Sequence, residues 1–91
     1  MPVVVVTGAS AGVGRATARA FARRGASLAL IARGRDGLEA TAKEVEAAGA
    51  SAVVLPVDVA DADGIDEAAS TTESELGPID VWVNNAMVSV F

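Results

Sequence analysis

The sequence predicts an α/β fold, a parallel sheet with a helix between each pair of successive strands. Three observations predict it. Four short apolar runs lack the in–out alternation of a half-exposed strand, as strands covered on both faces do. Stretches with helical spacing, about 10–15 residues each, separate these runs. Glycines stand where each of the first two helical patterns stops and where the first run turns into a helix.

Val3 to Val6 are four β-branched residues in succession and make the first strand. A turn with three glycines follows, Gly8-x-x-x-Gly12-x-Gly14. From Val13 the positions Val13, Ala16, Thr17, Ala20 and Phe21 recur on one helical face, which is expected to be the buried one. Arg15, Arg19 and Arg23 fall on the other side, and Gly25 after Arg24 reads as the C′ residue. Ser27 to Ala32 is the second strand and residues 33–37 a polar turn. Leu38, Thr41, Ala42, Val45 and Ala48 mark the next helix, ended by Gly49. Ala52 to Val57 is the third strand, with Pro56 near its end, where a missing N–H is tolerated. Asp61 suits the N-cap of a third helix that carries Ile65, Ala68, Ala69 and Thr72 on one side. Leu76-Gly77-Pro78 closes that helix, and Val81-Trp82-Val83 is a fourth strand leading into Asn84-Asn85. The order β-α-β-α-β-α-β implies one domain over residues 1–91 with the topology of a Rossmann half, expected strand order 3-2-1-4.

Composition excludes several classes of function. The 91 residues contain no cysteine and no histidine, so disulfides, thiolate metal sites and the commonest zinc ligands are absent. A net charge of −5 argues against a nucleic-acid partner. Most acids lie between residues 58 and 75, where they read as the solvated face of the third helix. Asp61, Asp63 and Asp66 follow no metal-loop spacing. No apolar run is long enough to span a membrane, and Met1-Pro2-Val3 does not begin a signal peptide, so the expectation is a cytoplasmic protein.

The glycine turn carries the chemistry. Small residues let a ligand approach the backbone, and the first N–H groups of the helix behind it have no partners within that helix. The helix dipole adds partial positive charge, so a phosphate suits the position. No lysine follows the glycines at P-loop spacing, which excludes that motif. A turn with a purely structural role remains the plain alternative, and such a protein would gain no thermal stability from a dinucleotide.

Thr7-Gly8-Ala9-Ser10-Ala11-Gly12-Val13-Gly14 resembles the cofactor fingerprint of the short-chain dehydrogenase/reductase family. Asp58-Val59 after the third strand and Asn84-Asn85-Ala86 after the fourth match two further family motifs in the expected order. The resemblance covers essentially the whole chain. It implies that Gly8, Ser10, Gly12 and Val13 line the phosphates of a nicotinamide dinucleotide, while Gly14 lets the helix pack closely on the sheet. It implies that Asp58 accepts from the adenine amino group, that the Val59 N–H meets the ring, and that Asn85 and Ala86 lie along the adenosine ribose. Where the family motif closes with glycine, this chain has Met87.

Members that use NAD place an acid at the end of the second strand, where this chain has Ala32 followed by Arg33. A guanidinium holds a 2′-phosphate with paired, charge-assisted bonds, and Arg35 adds to the positive field. The cofactor expected is therefore NADP(H), although Ala11 stands where many NADP-dependent members carry a second basic residue.

The family resemblance implies a catalytic tyrosine, lysine and serine, all later in the chain than residue 91. The sequence has no tyrosine, its one lysine, Lys43, is expected to face outward, and Ser89 has no base beside it. Two expectations follow. The first is an NADP(H)-dependent oxidoreductase acting on an alcohol or carbonyl compound and homo-oligomeric when complete. These residues would be its N-terminal, dinucleotide-binding part, inactive alone. The alternative is a non-enzymatic dinucleotide-binding module that pairs its open sheet edge with another chain.

Overall fold

The computed structural model describes residues 1–85; the predicted contacts of Ala86, and the positions Met87 and Ser89, lie outside them. Four strands, β1 (Val3–Thr7), β2 (Ser27–Ala32), β3 (Ala52–Pro56) and β4 (Val81–Asn84), alternate with three helices, α1 (Gly12–Arg23), α2 (Arg35–Ala47) and α3 (Ala62–Leu76). All strand pairs are parallel, and the sheet runs β3-β2-β1-β4, the expected Rossmann order.

The unbroken apolar strands are explained by two packed layers. On one face Val4, Val6, Leu28 and Leu30 meet Ala18 and Ala22 of α1 and Leu38, Ala42 and Val45 of α2. On the other, Val5, Ala29, Ile31 and Leu55 meet Ala68 of α3. Alternate residues of β1 and β2 thus point to opposite cores, and both sets must be apolar. Enclosing a side chain such as Leu28, Leu30, Ile31 or Leu38 contributes about 2 kcal/mol.

The helix ends follow their local chemistry. Gly25 (φ 86°) and Gly49 (φ 90°) close α1 and α2 in the left-handed region, where a side chain is strained. Asp61 is the N-cap of α3, its Oδ1 accepting from the Gly64 N–H at 3.0 Å. The acids Asp63, Asp66, Glu67, Glu73 and Glu75 along α3 are exposed, as expected of a solvated face.

Three expectations are corrected. The buried positions of α1 are Gly14, Ala18 and Ala22, whereas Ala16 and Ala20 are exposed and Val13 is 73% exposed. A helix lies closest to a sheet where its side chains are smallest, so the glycine–alanine ridge turns inward and the bulkier stripe, including half-buried Phe21, turns aside. Arg15 and Arg19 do not point away from the fold but meet Glu44 of α2. Finally, α2 begins at Arg35, inside the stretch read as a turn, and leaves Ala48 exposed as its C-cap. β4 borders the sheet among the described residues, with Val81 and Trp82 each 39% exposed.

Candidate dinucleotide-binding site

Parallel strands bring all their carboxyl ends to one edge. The register sets Thr7 of β1 against Ile31 of β2 and Asn84 of β4, and Ala32 of β2 against Pro56 of β3. Gly8, Arg33, Asp58 and Asn85 therefore follow four neighbouring strand ends. The strand order reverses between β1 and β4, and crevices at such a reversal are where open α/β sheets take ligands.

The glycine turn is held tightly on its inner side and left open on its outer one. Gly8 and Gly12 have φ of 64° and 58°, where L side chains are disfavoured. A Cβ on Gly14 would stand 1.9 Å from the Gly8 carbonyl oxygen, so only glycine permits this contact between α1 and the turn. A Cβ on Gly12 would meet nothing within 4 Å. The N-cap Ala11 is extended, offers no side-chain acceptor, and the first turn of α1 contains no acid. The first backbone bond back from α1 runs from the Arg15 N–H to the Ala11 carbonyl, at 3.3 Å. The N–H groups of Gly12, Val13 and Gly14 precede it and have no acceptor within the helix. Ala11, Gly12 and Val13 are all exposed, and Ser10 is half-buried.

Next to the turn, Thr7 joins β1 to β4. Its hydroxyl donates to Asn84 Oδ1 at 2.7 Å and accepts from the Asn85 N–H at 3.0 Å. The Asn85 Nδ2 atom is enclosed with no hydrogen-bond partner among the described residues. Toward the other edge, Arg33 is 81% exposed and its Nη1 lies 3.8 Å from Asp58 Oδ2. Asp58 also shapes its own loop, since its Oδ1 accepts from the Ala60 N–H at 2.9 Å. Val59 is half-buried and packs against the α3-side core. Arg35 leans on Glu39 one turn along α2, at 3.6 Å.

Sequence reasoning missed the contribution of α2. Arg15 grips Glu44 with two bonds, Nε to Oε1 at 2.9 Å and Nη2 to Oε2 at 2.6 Å. The hydrogen bond from Arg15, aided by its charge and that of Arg19, holds the Glu44 carboxyl below the usual carboxylate range despite partial desolvation. Thr41, fully buried, donates to the Ala9 carbonyl at 2.8 Å. Gly37, one turn earlier, faces Ser10 so closely that an added Cβ would stand 2.7 Å from the Ser10 Cβ. The available signal was a threonine on the apolar stripe of α2, four residues after a glycine. Among the described residues, no group of three or more Asp or Glu side chains could hold a metal ion, and no helix is long and apolar enough to cross a membrane.

Comparison with known proteins decides the family. The family model described as short chain dehydrogenase matches residues 2–91. The chain belongs to the short-chain dehydrogenase family. A short chain dehydrogenase of Pseudocercospora fijiensis is 44% identical over 85 residues, covering 93% of this chain and 28% of that protein. The 2,3-dihydro-2,3-dihydroxybenzoate dehydrogenase of Bacillus subtilis is 40% identical over 86 residues, 94% of this chain and 33% of the relative. The crystal structure of L-sorbose reductase from Gluconobacter frateurii, complexed with NADPH and L-sorbose, superposes with a TM-score of 0.90 at 38% identity, covering 98% of this chain and 34% of that one. The chain spans about a third of the length of these relatives.

Proposed function

We propose that these residues form the dinucleotide-binding part of an NADP(H)-dependent oxidoreductase that interconverts an alcohol and a carbonyl compound. The observation that carries this reading is the uncapped, solvent-facing start of α1 behind three glycines, at the reversal of strand order. Such an end is a preformed anion site, with free backbone donors, the positive end of the helix dipole and no side chain in the way. Gly8, Ser10, Gly12 and Val13 would line the dinucleotide phosphates there, with Gly14 keeping α1 against the turn. Asp58 and Val59 would flank the adenine, and Asn85 with Ala86 the ribose. When bound, the nicotinamide ring supplies or accepts the hydride. The chain's own residues bind and orient; without tyrosine, and with Lys43 exposed on α2, they offer no proton donor of the kind the family uses.

The choice of NADP(H) rests on Arg33. Its guanidinium is mostly exposed at the carboxyl end of β2, no acid precedes it there, and it leans only loosely on Asp58. It is thus free to take a 2′-phosphate with charge-assisted bonds. The L-sorbose reductase, which superposes over nearly the whole chain, holds NADPH.

Calorimetric titration of the purified protein with NADP⁺ and NAD⁺ tests both parts. NADP⁺ is expected to bind at least about tenfold more tightly, and Arg33→Ala to remove about that factor while leaving NAD⁺ unchanged. Equal or tighter binding of NAD⁺ overturns the cofactor choice. Binding of neither overturns the dinucleotide reading.

A further inference from the structure

We infer that Thr41 of α2 is a positioning residue for the phosphate-binding turn, acting through the Ala9 peptide; this rests on the dinucleotide reading above. Ala9 is fully buried and pinned at both ends. Its N–H donates to the Ile31 carbonyl of β2 at 3.1 Å, and its carbonyl accepts from the Thr41 hydroxyl at 2.8 Å. The Thr41 oxygen is also 3.1 Å from the Gly37 carbonyl, the ordinary back-bond of a helical threonine. One hydroxyl proton cannot fully serve both acceptors. The Gly37 carbonyl already has the helix ladder, whereas the Ala9 carbonyl lies in a turn and depends on Thr41.

A peptide unit is planar, so its carbonyl and its following N–H move together. No cis bond occurs among the described residues, and in a trans unit the two groups point in opposite directions. Drawing the Ala9 carbonyl toward α2 therefore aims the Ser10 N–H away from α2. Among the described residues that N–H makes no hydrogen bond. It stands immediately before Ala11 and Gly12, whose backbones open the α1 end. Gly37 presses on the same residue, its hydrogen-only face leaving no room for Ser10 to swing back toward α2. Without the Thr41 hydroxyl, a buried carbonyl loses its partner, and the cheapest repair is to rotate the peptide, which turns the Ser10 N–H with it. α2 thus sets the aim of a donor that belongs to another element.

A fold-only role and a positioning role differ in which part of the ligand they affect. Thr41→Val keeps the shape and removes the donor; Thr41→Ser restores it. Dissociation constants for NADP⁺, which carries a pyrophosphate, and adenosine 2′-monophosphate, which has none, are measured at a temperature where circular dichroism shows each variant folded. Thr41→Val is expected to weaken NADP⁺ by about tenfold and adenosine 2′-monophosphate by less than about twofold, with Thr41→Ser within about twofold of the parent for both. Amide hydrogen exchange of Ser10 is expected to change in Thr41→Val and not in Thr41→Ser. If Thr41→Val does not fold, Gly37→Ala, which displaces Ser10 from the same side, is expected to show the same selective loss. Equal weakening of both ligands, or unchanged NADP⁺ binding in a folded Thr41→Val or Gly37→Ala protein, overturns the inference while leaving the dinucleotide reading intact. Failure of the parent protein to bind NADP⁺ overturns both.

Discussion

α1 and α3 both start beyond the carboxyl end of a strand, from an N-cap residue in extended conformation, and they are finished in opposite ways. At α3 the Asp61 carboxylate accepts from the Gly64 N–H and Asp63 adds negative charge to the first turn. At α1 the N-cap is Ala11, the first turn carries no acid of its own, and the backbone faces solvent. Capping is worth about 1 kcal/mol, so α1 forgoes stability that α3 takes. On the function proposed above, the difference teaches that the bare end is kept for an outside anion, since the same donors cannot serve both a side chain and a phosphate. The start of α2 lies between these cases, with Gly34 as an uncapped N-cap but Asp36 in its first turn.

The largest expected effect concerns what lets α1 reach the turn at all. Gly14→Ala adds a methyl 1.9 Å from the Gly8 carbonyl oxygen and 2.6 Å from its carbon, both backbone atoms that cannot step aside cheaply. The helix gains about 1 kcal/mol of propensity from alanine, but overpacking of this severity costs about 3 kcal/mol or more. Chemical denaturation should therefore show a net loss of at least about 2 kcal/mol, with dinucleotide binding lost at the same time. A variant as stable as the parent would show that α1 does not sit where the contact requires.

A reciprocal pair of substitutions then tests the two helix starts against each other. Ala11→Asp gives α1 the cap it lacks, in a backbone conformation already suited to it. Stability should rise by up to about 1 kcal/mol, while NADP⁺ affinity falls by about tenfold or more, because the new carboxylate occupies the donors and repels the phosphate. Asp61→Ala should do the reverse of the first effect and none of the second, costing about 1 kcal/mol with an unchanged dissociation constant. Thermal unfolding paired with calorimetric titration reads both quantities. If Ala11→Asp tightened binding, the open end of α1 would not be the phosphate site.

The smallest effect is on acid stability. The Glu44 carboxyl has its folded-state pKa below the ordinary 4.5, so its ion pair with Arg15 stabilises the fold above that value. That contribution is lost as pH falls from 4.5 through the depressed folded value, where the carboxyl takes up a proton. Glu44→Gln, which has no such proton to bind, should flatten the acid limb of a stability–pH curve and leave the curve's shape above pH 6 unchanged. An acid limb as steep as the parent's would mean that other carboxylates carry it.

The parts of this molecule that could be read directly are those governed by short stretches of chain. Val3–Val6 and Ser27–Ala32 are legible as strands because both faces of each are buried, so no polar residue interrupts them. Gly25, Gly49 and Asp61 are legible because a helix end is a local problem with few chemical solutions. The buried face of α1 was not. Hydrophobicity favours Val13 and Phe21, whereas the contact with the sheet selects Gly14, Ala18 and Ala22 for their small size. Nor was the partnership of α2 with the glycine turn, which joins residues 29 and 32 positions apart, Arg15 to Glu44 and Ala9 to Thr41.

By itself, then, the sequence determined the alternation of strands and helices and a glycine turn suited to an anion, because each follows from backbone preference and apolar periodicity within one element. The parallel order of the sheet follows from that alternation and the right-handed crossovers it requires. Only the tertiary structure decided which side of α1 is buried, where Arg15 and Arg19 point, and that Arg33 lies beside Asp58 while Thr41 holds Ala9. Those arrangements depend on distances between elements, and such distances are set by how closely whole helices can approach the sheet.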